Sequence, residues 1–350
     1  MPHPDVDRMR AYTERMCADL SFCASLCRSY TVDTVYFGGG TPTLLDSKEL
    51  CRMLDAVRTH YTLSSDAEIT LECNPATGSL DGFRALRAAG FNRVSIGLQS
   101  AHENELRALG RIHTFSDFVH TLETLRAAGF ENLSADVMQG IPEQTAESYF
   151  ETLERVASLS PTHVSAYALS MEEGTRFSRI ADKLPLPDEE VSRRMYLEGI
   201  EYLAAQGYAQ YEISNFARAG YESRHNLKYW ECEEYLGFGP AAYSFFGGDR
   251  FGNARNIEGY IEGEDIECER ERITPHEGAN EYVMLGMRTA RGVSVAAFDA
   301  RYPQSFRETF APRLEKYIPM GLVKRTADGY AFTPEGMYVS NGVLSDVLEF

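Results

Sequence analysis

Apolar, β-branched runs alternate with amphipathic stretches through the first two thirds of this 350-residue chain. The runs at 32–37, 68–73, 93–98, 133–138 and 163–169 read as strands. The stretches at 47–60, 80–89, 115–128 and 146–158 carry apolar residues at helical spacing. Gly90 and Gly129 each follow Arg-Ala-Ala and read as the glycines that close helices. Such a succession predicts parallel strands joined by right-handed crossovers. The expected fold class is therefore α/β, a barrel of repeated βα units. A leading helix over 6–28 precedes the first readable strand, which leaves the sheet short at that edge.

In a barrel of this kind the C-terminal strand ends carry the chemistry. Four polar segments fall there: Gly38-Gly39-Gly40-Thr41-Pro42, Glu72-Cys73-Asn74-Pro75, Gly97-Leu98-Gln99 and Asp136-Val137-Met138-Gln139-Gly140. A fifth segment, Gly110-Arg111, follows the third strand at a distance. Three glycines allow close backbone approach to a ligand, or simply a tight strand exit. The run lacks the Lys of a phosphate-binding loop and the later Gly of a dinucleotide fingerprint. Glu72 could accept two ribose hydroxyls or stand as an exposed strand end. Gln99 and Asp136 occupy equivalent places on later strands. Arg111 could grip a carboxylate through its planar fork or form a surface ion pair.

A net charge of -18 disfavours nucleic acid as the main partner, since phosphate binding needs a Lys/Arg surface. No apolar run reaches the roughly 20 residues of a membrane span. The first seven residues show no basic-then-apolar signal pattern, and a cytoplasmic location is expected. Seven Cys without paired spacing argue against a disulfide framework.

Three regions are expected: a partial barrel over 1–206, a loop-rich segment over 207–273, and a C-terminal unit over 274–350. The middle segment is rich in Gly, Tyr and Asn and closes on a charged, solvated run at 263–272. The last unit reads as helices at 277–290 and 307–317, a hairpin turning at Ala327-Asp328-Gly329, and a helix after Pro334. That order suggests a small winged-helix-like domain.

Taken in order, Phe-Gly-Gly-Gly-Thr-Pro, Leu-Glu-Cys-Asn-Pro, Ser-Ile-Gly-Leu-Gln-Ser, Leu-Gly-Arg-Ile-His and Asp-Val-Met-Gln-Gly-Ile-Pro resemble one family. It is the radical S-adenosylmethionine enzymes of the oxygen-independent coproporphyrinogen oxidase type. The resemblance implies an incomplete TIM-type (β/α) barrel, here missing its first strand, with S-adenosylmethionine at the barrel mouth. Gly39, Gly40 and Thr41 would contact its amino group and Arg111 its carboxylate. Glu72, Gln99 and Asp136 would surround the ribose and the remaining polar edges. Two stretches, Tyr211-Glu212-Ile213-Ser214-Asn215-Phe216-Ala217 and His225-Asn226-Leu227-Lys228-Tyr229-Trp230, resemble the family's haem-chaperone branch. That branch implies haem binding through His225, Tyr229 and Trp230, and delivery to a haem-accepting target protein. Imidazole can ligate iron and aromatic rings can cover a macrocycle; a packed loop with a hydrogen-bonded His is the plainer alternative. His113 and His163 read as structural.

The family's Cys-x3-Cys-x2-Cys, which would supply three thiolates to a [4Fe–4S] cluster, is absent from this sequence. Cys17, Cys23 and Cys27 are spaced otherwise and fall in the leading helix, where they read as half-buried helix residues. The expectation is that the chain starts after the cluster loop, its opening residues resembling the stretch that follows it. A natural cluster-free protein is the alternative. No radical chemistry is expected from the chain as it stands. Two further functions stay open: an oxygen-independent coproporphyrinogen III oxidase of porphyrin biosynthesis, and an inert remnant binding neither haem nor cofactor.

Overall fold

The computed structural model describes residues 5–171, 179 and 184–348. The first four residues of the opening stretch therefore lie outside the described residues. Helix α1 (Val6–Cys23) is capped by the Asp5 carboxylate and runs into a 3-10 turn at Ala24–Cys27. The leading helix thus ends as an α-helix at Cys23, earlier than expected. Then follow β1 (Thr31–Phe37), α2 (Ser47–His60), β2 (Thr62–Cys73), α3 (Leu80–Ala89), β3 (Arg93–Gln99), α4 (Glu103–Ala108) and α5 (Phe115–Ala127). The succession continues with β4 (Asn132–Gln139), α6 (Ala146–Ser158), β5 (His163–Ala168) and α7 (Glu189–Ala205). Gly90 closes α3 at φ 110°, a conformation glycine adopts without a Cβ clash.

Strands β1 to β5 are parallel neighbours in sequence order. Two antiparallel strands, β6 (Ala209–Glu212) and β7 (Asn215–Ala217), then extend the sheet in the order β1-β2-β3-β4-β5-β7-β6. The seven strands form a half-barrel, and the incomplete TIM-type architecture holds. The strands obey a period of two. Ile69, Leu71, Val94, Ile96, Leu98, Leu133, Ala135, Val137 and Val164 point outward and pack with Leu54, Phe83, Phe118, Leu122 and Leu153 from the covering helices. Each large apolar side chain so buried is worth roughly 1.5–3 kcal/mol. A one-residue register slip would send the whole set to the other face.

The stretch with little periodicity resolves into short elements: β6, β7, α8 (Arg224–Trp230), β8 (Tyr243–Phe246), β9 (Asp249–Asn253) and α9 (Ile257–Glu262). Strands of three to five residues are too short to show a pattern. The charged run includes β10 (Glu267–Arg272), an exposed strand paired with β9.

The C-terminal unit contains α10 (Pro275–Gly286), β11 (Val293–Ser294), α11 (Val295–Arg301), α12 (Phe306–Thr309), α13 (Ala311–Glu315), β12 (Val323–Arg325), β13 (Gly329–Phe332), α14 (Pro334–Tyr338) and α15 (Ser340–Val347). The single helix expected over 307–317 is two. Pro312, in the first turn of α13, has no N–H to continue the earlier ladder. The expected hairpin is present, and β11 joins it to make a sheet ordered β11-β13-β12. A separate core of Val283, Phe298, Phe306, Phe310, Leu314 and Phe332 holds the unit together.

Candidate functional site

Inward-facing residues of the half-barrel are polar in almost every layer. They are Thr34 and Tyr36 on β1, Glu68, Thr70 and Glu72 on β2, Arg93, Ser95 and Gln99 on β3, Ser134 and Asp136 on β4, and His163, Ser165 and Tyr167 on β5. A packed barrel fills this space with branched apolar side chains. A polar lumen is instead a place to hold something polar.

At the C-terminal mouth the predicted residues converge. The Glu72 carboxylate accepts from the Tyr36 hydroxyl (2.8 Å) and from the Gly39 N–H (3.1 Å). A Cβ on Gly38 would lie 2.4 Å from the Tyr36 ring and 2.9 Å from a Glu72 oxygen, so only glycine fits there. Gly39 sits at φ 110°, and a Cβ on Gly39 or Gly40 would meet nothing within 4 Å. Their backbone therefore faces open space that a ligand can enter. The Thr41 hydroxyl is held by the Asn74 side-chain amide at 2.7 Å. Gln99 is buried at φ 73°, and its Oε1 accepts from the Tyr167 hydroxyl at 2.8 Å. That left-handed conformation costs a non-glycine residue roughly 1–3 kcal/mol, a strain that clusters at functional sites.

Asp136 Oδ1 accepts from Ser95 Oγ (2.7 Å) and Ser134 Oγ (3.1 Å). Burial nonetheless pushes its carboxyl above the ordinary aspartate range. Glu72 is also raised, chiefly by burial, with repulsion from Asp136 adding to it. Two carboxylates with raised affinity for protons suit an electropositive or hydroxyl-bearing ligand. Arg111 lies in the loop between α4 and α5, past Gly110 at φ 72°. His113 donates from Nε2 to the Leu98 carbonyl (3.0 Å), anchoring that loop to the end of β3. The Arg111 guanidinium is close enough to Tyr167 to act on it electrostatically, yet it makes no ion pair or side-chain hydrogen bond among the described residues. Arg111 thus lies near the β3 end of the mouth, placed there by its neighbour His113 and felt by Tyr167, the residue that bonds Gln99.

The second predicted set lies at the other end of the lumen. Ser223 caps α8, and Glu68 accepts the Arg224 and His225 N–H groups at 3.0 Å each. The His225 ring stacks on Tyr36 at 4.9 Å between centroids. Its Nδ1 is bonded to the Thr34 hydroxyl (2.9 Å) and its Nε2 to the Tyr229 hydroxyl (2.9 Å). Burial, with help from Lys228 and Arg93, pulls its pKa down to about 4, so the imidazole is neutral at ordinary pH. Neutral imidazole is the form that ligates iron. Both nitrogens are in use here, so ligation requires release of a hydrogen bond. Tyr229 is exposed and Trp230 half-buried. Lys228 bridges Asp33 and Glu233, fixing α8 against the start of β1.

Cys17, Cys23 and Cys27 are partly buried free thiols, raised in pKa chiefly by burial. Among the described residues no three His, Cys, Asp or Glu side chains are grouped to hold a metal ion. These residues do not fit a [4Fe–4S] cluster, and no chemistry is derived through one. No helix among the described residues is long and apolar enough to cross a membrane.

Sequence reasoning missed Tyr36, Glu68, Arg93, Ser95, Ser134 and Tyr167, and read His163 as structural. Their signal was present: polar residues at every second position, as in Glu68-x-Thr70-x-Glu72 and His163-x-Ser165-x-Tyr167. Attention to strand ends passed over it.

Comparison with known proteins agrees with this geometry. The Radical SAM superfamily matches residues 7–156, and the HemN C-terminal domain matches residues 273–339. The "Heme chaperone HemW" of Bacillus subtilis (strain 168) is 35% identical over 325 residues, covering 90% of this chain and 85% of that protein. The protein of that name from Escherichia coli (strain K12) is 32% identical, covering 98% and 90%. The mouse "Radical S-adenosyl methionine domain-containing protein 1, mitochondrial" is 34% identical, covering 91% and 76%. Among solved structures, coproporphyrinogen III oxidase (HemN) from Escherichia coli superposes with a TM-score of 0.82 at 23% identity, covering 98% of this chain and 84% of that one. At that identity the likeness establishes the fold. The relatives establish more, and this chain belongs to the HemW family of the radical SAM superfamily.

Proposed function

We propose that this protein binds haem and S-adenosylmethionine and hands haem to a target protein. The observation that carries the reading is similarity at 32–35% identity, over 90–98% of the chain, to proteins named heme chaperones. The site supports it. The mouth offers open glycine backbone, two carboxylates and the Arg111 guanidinium for the cofactor. At the opposite end α8 presents a neutral imidazole beside Tyr229 and Trp230. S-adenosylmethionine would rest on Gly39, Gly40, Thr41, Glu72, Gln99, Arg111 and Asp136. Haem would be ligated by His225 once Tyr229 gives up its hydrogen bond to the ring.

Haem titration tests the reading. The chain should give a shifted Soret band, and His225→Ala should abolish that shift while leaving the far-ultraviolet spectrum unchanged. An identical Soret band in the variant would remove His225 as a ligand. Robust decarboxylation of coproporphyrinogen would instead favour an oxidase.

A further inference from the structure

One buried chain of hydrogen bonds crosses the lumen from the mouth to α8. Asp136 Oδ1 accepts from Ser134 Oγ (3.1 Å). Ser134 Oγ meets His163 Nδ1 at 2.8 Å, and His163 Nε2 meets the Tyr211 hydroxyl at 2.8 Å. The Tyr211 oxygen accepts the N–H of Ser223 (3.2 Å), which is the cap of α8. Ser134 and His163 are completely buried.

Donor and acceptor counting gives this chain a single direction. With Asp136 ionised its oxygens only accept, so the Ser134 hydroxyl proton points at Asp136. Ser134 Oγ must then take a proton from His163 Nδ1–H. His163 is held neutral by burial, with the Arg93 charge adding to it. A neutral imidazole that donates from Nδ1 must accept at Nε2, so the Tyr211 hydroxyl proton points at His163. The Tyr211 oxygen is left free to accept from Ser223. With Asp136 ionised, every link is satisfied in this one arrangement, and reversing any link leaves two donors or two acceptors face to face. In a water-poor lumen such a mismatch costs roughly 1–3 kcal/mol.

We infer that His163 and Tyr211 are positioning residues that tie Asp136 at the mouth to α8 at the far end of the lumen through this directed chain. The inference deepens the functional reading above, because it rests on Asp136 belonging to the cofactor site and α8 to the haem site. A ligand that engages Asp136 changes how strongly it accepts from Ser134, and the change passes by way of His163 and Tyr211 to the cap of α8. By linkage the effect is reciprocal. It also gives Tyr211, in a stretch that no other part of the site uses, a defined task.

Two measurements decide it. In ¹⁵N-labelled protein the His163 ring should be neutral with its proton on Nδ1 from pH 5 to 8; a proton on Nε2, or an imidazolium, overturns the chain. Hydrogen exchange at the amides of residues 223–230 should be compared in wild type, Asp136→Asn, Tyr211→Phe and the double variant. Asp136→Asn replaces a charged acceptor with a weaker neutral one, and should speed exchange at least threefold in a helix that Asp136 does not touch. The double variant should exchange no faster than Tyr211→Phe alone. Unchanged exchange in Asp136→Asn, or effects that multiply, overturns the inference. If Tyr211→Phe does not fold, Ser134→Ala cuts the same chain. Adding S-adenosylmethionine should slow these amides in wild type and not in Tyr211→Phe; equal slowing in both overturns the inference. A wild type that shows no calorimetric binding of S-adenosylmethionine overturns the cofactor reading, while the tautomer and the Asp136→Asn comparison still decide the chain.

Discussion

At the scale of single residues, the site depends on charges placed where water is scarce. Arg111 is the clearest case, a guanidinium near Tyr167 that makes no ion pair or side-chain hydrogen bond among the described residues. Arg111→Ala should weaken S-adenosylmethionine binding by roughly 1.5–3 kcal/mol, the worth of a hydrogen bond to a charged group. Calorimetric titration would show this as a loss of about ten- to 150-fold, and unchanged affinity would take Arg111 out of the site. Glu212 and His225 make opposite demands on pH. Glu212 is fully buried, and burial raises its pKa to about 7 against the bonds it receives from Ser214 and Asn215. Its folded pKa lies above its unfolded one, so its contribution is complete below about 4.5 and is lost as pH rises through 7. His225, depressed to about 4, contributes fully above about 6.5 and loses that contribution as pH falls through 4. Glu212→Gln removes the first effect only. Its stability relative to wild type should rise by about 1–3 kcal/mol between pH 5 and 8, measured by urea denaturation. A difference that stays flat with pH would mean that Glu212 does not titrate in this window.

At the scale of elements, the loop carrying Arg111 is fixed at two points that follow Arg111 in sequence. His113 bonds the end of β3. After it, Thr114 and Asp117 form a reciprocal cap on α5, with the Thr114 hydroxyl accepting from the Asp117 N–H and the Asp117 carboxylate accepting from the Thr114 N–H. Thr114→Ala should cost about 1 kcal/mol of stability. His113→Ala should reduce S-adenosylmethionine affinity several-fold although Arg111 remains, because the loop loses its anchor. If only stability changes in His113→Ala, the loop's position does not depend on that bond. The helices of this half were readable because their caps and closing glycines are local signals. The short elements of the middle segment, β6, β7 and α8, were not. Their conformation is set by neighbours: β7 by pairing with β5, and α8 by the Glu68 carboxylate on β2.

At the scale of the whole molecule, three apolar cores form among the described residues: one between the half-barrel and its helices, a smaller one where α1 meets α2 and α9, and one in the C-terminal unit. Phe306 is completely buried there among Phe298, Phe310 and Tyr330. Phe306→Ala should cost about 3–5 kcal/mol. The resulting rise in hydrogen exchange should concentrate in residues 275–348 and spare the barrel strands. Uniform loss of protection across both units would show that they unfold as one. The junction between them runs through the Ala290 N–H on the Tyr211 carbonyl, beside buried Glu212.

Local chemistry in the chain was enough to determine the alternation of strands and helices, the parallel order of five strands, and the group of residues at their C-terminal ends. Each of these follows from side-chain period, capping and steric handedness, which act over a few residues. Tertiary structure decided what those rules cannot reach. It brought Glu68 under α8, aligned Ser134, His163 and Tyr211 into one chain, and stacked His225 on Tyr36 of β1. These groups are separated by up to 157 positions in sequence. Only closing the sheet into a curved wall makes them neighbours, and the low dielectric inside that wall gives their pairing its strength.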